Sequence, residues 1–241
     1  GYASAWGGPA NVAVINQGVI SADVSGGTIT VNAQPFNNAG LVQGLNGGDV
    51  SISGGIWSNS GALNVATNSV LNFSGNGTNT GTLNVTNGTV NLGGSLTTAG
   101  LGVVNQQGGK INLTGTLNNT GSSLVLGGPW VLSGGSISKG IVVATNGAAL
   151  VVSSGTLDGV TVNGVLDVGN SVNGANLTAT NGLTLNGTAL VGNPTNSYHG
   201  AISFAGSQTL GESGTVVFGN SGNYSYNALR VLNGGTTLTI E

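Results

Sequence analysis

Pairs of apolar residues separated by one polar residue recur along the chain at a nearly constant interval. Ile29/Val31, Val50/Ile52, Leu71/Phe73, Val90/Leu92 and Ile111/Leu113 follow one another at steps of 21, 21, 19 and 21 residues. The two-residue period is that of a β-strand with one buried face. The polar residue inside each pair, Thr30, Ser51, Asn72, Asn91 and Asn112, then points outward, and the five predict an external ladder. A second set of short strands runs through Val19 and Ile20, Leu41 and Val42, Leu63 and Val65, Leu83 and Val85, and Val103 and Val104. Phe36, Trp57, Leu96 and Leu117 mark a third, less regular wall. Three short walls per repeat of about 20 residues predict an all-β chain folded as a right-handed parallel β-helix, a three-walled β-solenoid.

The walls are punctuated by glycine. Asn-x-Gly triplets end at Gly18, Gly40, Gly61, Gly81 and Gly121, with Thr-Thr-Ala-Gly100 in the gap, at steps of 22, 21, 20, 19 and 21 residues. They read as corners that need positive φ, which Gly adopts without strain and Asn tolerates, with stacked Asn side chains bonded from coil to coil. Near residues 127–136, around Gly127, Gly128, Pro129 and Trp130, the register changes. Ile137, Leu157 and Leu177 repeat at 20 and 20, and Gly147, Gly164 and Gly182 close Asn-Gly corners. Residues 193–200, Asn-Pro-Thr-Asn-Ser-Tyr-His-Gly, form a side loop, after which strand patterns resume. The whole chain, 1–241, is expected to be a single solenoid domain of about twelve coils.

Composition narrows the picture. Three Lys/Arg and six Asp/Glu are the formal charges, 47 residues are Gly, and there is no Cys. The lack of Cys excludes disulfides, thiolate metal sites and a thiol nucleophile. Lys110, Lys139 and Arg230 are scattered, so no basic patch for nucleic acid is expected. No apolar run approaches the length of a membrane span.

The segments Gly155–Asn170 (GTLDGVTVNGVLDVGN), LTATNGLTLNGTALVGN and AISFAGSQTLGESGTVVFGN resemble the β-strand-repeat proteins of bacterial surfaces, similar to filamentous haemagglutinins and autotransporter passengers. The resemblance covers residues 130–241 by motif and the remainder by periodicity. It implies export, a right-handed parallel β-helix and a role in adhesion, matrix or filament building, and it supplies no catalytic residues.

Some β-helices cleave polysaccharides, a chemistry that needs clustered carboxylates. Asp158 and Asp167 form the only candidate pair, nine residues apart, and read more simply as exposed or corner-capping aspartates. No cofactor, calcium repeat or metal centre is expected. His199, the one histidine, lies beside Tyr198 in the side loop, and the two are the candidate contacts for a ligand or receptor. Trp57 and Phe73 read as core, whereas Trp6, Trp130, Tyr198, Tyr224 and Tyr226 are less constrained. The functional expectation is a non-catalytic extracellular or cell-surface structural protein, a fibre or matrix element that self-associates head to tail or continues in a longer chain. The alternatives are an adhesin rod that binds a glycan or surface receptor and, less favoured, a polysaccharide-active enzyme.

Overall fold

The computed structural model describes residues 12–220 and 226–241; Trp6 and Tyr224 lie outside the described residues. The described chain is an all-β solenoid of about nine turns in which each strand pairs in parallel with the strand one turn away. It divides into two compact units, one up to Thr116 and one from Leu117.

In the first unit three walls repeat. One is built from Val19–Ala22, Leu41–Gly44, Ala62–Val65, Thr82–Thr86 and Val103–Gln107, which form a sheet of their own. The second is built from Thr28–Val31, Asp49–Ile52, Val70–Phe73, Thr89–Leu92 and Lys110–Leu113. Its apolar pairs stack in the order the periodicity sets, Ile29 on Val50, Val50 on Leu71, Leu71 on Val90 and Val90 on Ile111. Burial of Val50, Leu71, Val90 and Ile111 in this column, and of Ile52, Phe73, Leu92 and Leu113, supplies the apolar core, at about 25 cal/mol for each Å² removed from water.

The third wall is irregular for a steric reason. Phe36 stacks on Trp57, and Trp57 on Gly77. A Cβ at Gly77 would lie 2.1 Å from the Trp57 indole, so the next coil leaves out a side chain to admit the ring. Trp57 also packs against Phe73, with ring centroids 4.7 Å apart, while its indole N–H is buried without a hydrogen-bond partner among the described residues. At the fifth coil the Asn-x-Gly corner is replaced by a 3-10 turn over Thr98–Leu101, where the Thr97 hydroxyl accepts from the Gly100 N–H at 3.0 Å.

The second unit has longer strands and longer coils. Ala149–Val168 and Ala175–Val191 run through corners and pair along most of their length, with one register shift between Asp158 and Val160. Trp130 and Ile137, both buried, stack on Leu150 and Leu157. Leu157 then pairs with Ala179 and not with Leu177, which faces Gly155, because this coil is two residues longer than the equal spacing of 20 suggests. Gly164 and Gly182 both lie within strands that run through their corners, Gly164 paired with Gly187, whereas Gly147 lies between strands. Linked positions are 22 residues apart at Asp158 and Thr180, 27 at Gly200 and Asn227, and 30 at Ser207 and Thr237. The described residues form about nine turns, against about twelve expected of the whole chain in uniform coils, and the longer coils of this unit account for part of that difference.

Candidate functional site

The most extensive polar constructions are ladders. On the second wall, Asn72 Nδ2 donates to the Ser51 hydroxyl at 3.2 Å, Asn91 to Asn72 Oδ1 at 2.6 Å and Asn112 to Asn91 Oδ1 at 2.7 Å. On the first wall, Asn84 donates to Asn64 at 2.7 Å and Asn105 to Asn84 at 2.8 Å. On the third, the Ser58 hydroxyl donates to Asn37 Oδ1 at 2.8 Å. Every wall of the first unit therefore presents amides and hydroxyls already bonded along the coil axis.

A further ladder runs inside, along the Asn-x-Gly corners, where the sequence predicts stacked Asn side chains bonded from coil to coil. The Asn of each Asn-x-Gly triplet is buried: Asn16, Asn38, Asn59 and Asn79 stack with Nδ2 donating to the next Oδ1 at 2.6, 2.5 and 2.7 Å. The same nitrogens reach backbone carbonyls, Asn38 to Ala62 at 3.2 Å and Asn79 to Leu101 at 2.7 Å. In the second unit Asn119 is buried and donates to the Ile141 carbonyl at 2.9 Å. Buried amides are tolerated only when bonded, and each ladder member supplies its neighbour's partner.

The glycines of these triplets answer a different need from the one periodicity suggests. Positive φ is found at Gly121, at 67°, but Gly40, Gly61 and Gly81 lack it. A Cβ at Gly40 would come within 2.2 Å of the Gly18 carbonyl oxygen, at Gly61 within 2.1 Å of the Gly40 oxygen, and at Gly81 within 2.0 Å of the Gly61 oxygen. The requirement at these three corners is close approach of successive coils. In the first unit left-handed Asn backbone belongs to another corner, at Asn46, Asn68 and Asn87, which Asn146 continues in the second unit, whereas Lys139 and Asn181 adopt it at the corner stacked on Asn119–Gly121.

The structure gives Asp158 and Asp167 separate structural duties. Asp158 Oδ1 accepts from the Thr180 hydroxyl at 3.1 Å and from Asn181 Nδ2 at 2.5 Å. Asp167, 3% exposed, accepts from the N–H groups of Asn170 and Ser171 through Oδ1 and from the Ser171 hydroxyl through Oδ2 at 2.6 Å. Asp49 Oδ1 accepts from the Val70 N–H at 2.9 Å. No group of three or more His, Asp or Glu that could hold a metal ion occurs among the described residues.

Residues 193–199 form a loop ahead of the strand Gly200–Ala205. Asn193 anchors it, its Oδ1 accepting from Thr195 and Asn196 and its Nδ2 donating to the Asn170 carbonyl at 2.8 Å. Tyr198 is exposed, and His199, half-buried, stacks on Tyr226 with ring centroids 4.8 Å apart. Among the last strands of the second unit, Val217, Phe218, Val231 and Ile240 are exposed. Beside them a cavity of about 270 Å³ is lined by Leu185, Leu210, Val216, Phe218, Leu229 and Ile240. No helix among the described residues is long and apolar enough to cross a membrane.

No family model matches the chain, and neither curated proteins nor solved structures give a match.

Proposed function

We propose that the protein is a non-catalytic structural element of an extracellular or cell-surface fibre or matrix, assembled end to end through its coils. The observation that carries this reading is the set of axial ladders: amides and hydroxyls on all three walls of the first unit are bonded to their own neighbours along the coil axis. Such side chains reinforce the stack and present a neutral, uniform surface. Asp49, Asp158 and Asp167 are engaged by neutral donors in the same manner, which leaves these carboxylates serving the backbone and its turns. The exposed apolar strands around Phe218, with the cavity beside them, suit a further β-coil from a second copy, since parallel strand edges offer unpaired N–H and C=O groups.

Sedimentation velocity over a concentration series tests this. Growth of large species with concentration is expected, and Val217→Lys, a charge on an exposed position of that edge, should suppress it. A sedimentation coefficient constant over the series would contradict assembly. A second reading, an adhesin rod, is favoured by the exposed Tyr198 and the His199–Tyr226 contact in the side loop. It predicts reproducible binding of the isolated protein to one surface partner without growth.

A further inference from the structure

Three neighbouring coils of the second unit bring Asn173, His199 and Tyr226 side by side. The N–H groups of Gly174 and Ala175 donate to the His199 carbonyl at 2.9 and 3.2 Å, and the His199 N–H donates to Asn173 Oδ1 at 3.2 Å. One coil further, Asn227 Oδ1 accepts from the Gly200 N–H at 3.1 Å while its Nδ2 donates to the Gly219 carbonyl at 2.9 Å. This double anchor sets Tyr226 directly against His199, with the ring planes 32° apart. The partner ring comes from a residue remote in sequence, and the coil register alone makes the pair.

The described side chains that bond to the backbone around the pair, Asn173, Asn196 and Asn227, are polar and uncharged. Tyr198 is 38% exposed and Tyr226 47%. Asn173 and Asn196 are exposed and accept through their amide oxygens, Asn196 from the Tyr198 N–H at 2.8 Å, so their amide nitrogens are donors to whatever lands on the strip. Asp167, behind the loop, has both carboxylate oxygens engaged by Asn170 and Ser171. A sugar ring has an apolar C–H face and a rim of hydroxyls. Aromatic faces take the first by dispersion and amides take the second by hydrogen bonding.

We propose that the strip formed by Tyr198, His199 and Tyr226, with Asn173 and Asn196 at its rim, binds a neutral glycan. It spans two coil spacings, about 9.5 Å, which is room for two consecutive rings along the coil axis. An anionic glycan is disfavoured because the strip offers no Lys or Arg to pair with its carboxylates or sulfates. The site names the ligand class for the side loop and does not depend on fibre assembly, so it can fail while the fibre reading stands, and the reverse.

His199 is the one histidine of the chain, so its ring-proton resonances report on the site alone. The full chain is titrated with cellotetraose, maltotetraose, chitotetraose and, as the anionic comparison, tetragalacturonate. At least one neutral tetrasaccharide should shift the His199 resonances in a saturable way. Tyr226→Ala and Tyr198→Ala should each weaken that binding at least about tenfold, and Ser58→Ala, in the other unit, should leave it unchanged. Circular dichroism checks that the variants fold; if Tyr226→Ala does not, Tyr198→Ala, on the exposed loop, decides alone. The proposal is overturned if no neutral tetrasaccharide shifts the resonances up to about 10 mM, if only the anionic one does, or if binding is indifferent to every folded tyrosine variant.

Discussion

A methyl group added at Gly61 would collide with a carbonyl oxygen of the coil before it, at 2.1 Å, and backbone cannot move aside as a flexible side chain can. Gly61→Ala should therefore cost about 2–3 kcal/mol by chemical denaturation. Gly18→Ala, in the same triplet position but with no described atom within 4 Å, should stay within about 0.5 kcal/mol. Equal effects at the two sites would remove close approach as the reason for these glycines. The buried Asn beside each glycine makes a parallel comparison. Asn59→Ala leaves the Asn38 and Asn79 amides short of a buried partner, for about 2 kcal/mol, whereas Asn84→Ala on the outer ladder should cost about 0.5 kcal/mol. The triplets were plain in the sequence, and so was the outward column through Asn72, Asn91 and Asn112. What the sequence could not separate was a positive-φ corner from a crowded one, since Gly serves both, nor an Asn that points inward from one that points out.

Elements in the first unit follow the two-residue alternation closely, because each wall is short and its coils all span 19 to 22 residues. The exception, the third wall, turns on Trp57 resting on Gly77, a contact between coils that no local pattern encodes. In the second unit the strands continue through their corners, and a loop can then be fixed by a single carboxylate. Asp167 accepts four hydrogen bonds from Asn170 and Ser171 where Ala149–Val168 ends. Asp167→Ala should destabilise this unit by about 2–3 kcal/mol and raise hydrogen exchange at the Asn170 and Ser171 amides. Unchanged protection at those two amides would show that the carboxylate does not hold the turn. The pairing of Leu157 with Ala179 and the meeting of His199 with Tyr226 were hidden for one reason. Each depends on how far the coil has lengthened, and that length is set by turns whose sequences look alike.

At the scale of the whole molecule, stability rests on apolar burial and on neutral hydrogen bonds repeated from coil to coil, with three basic and six acidic residues to contribute otherwise. The melting temperature should accordingly change little between about 0.05 and 0.5 M sodium chloride, a range over which the Debye length shortens about threefold. A fall of many degrees would point to charge pairs as a main support. The fold class was legible because periodicity is a property of the entire chain and survives local irregularity. The count of coils was not, since it depends on how far individual coils lengthen.

Negative-stain electron microscopy of the purified protein across a range of concentrations bears most directly on a structural role. Long filaments of uniform thin cross-section, growing with concentration and shortened by Val217→Lys, are the expected result. Short isolated particles that never elongate at any concentration would contradict assembly through the coils.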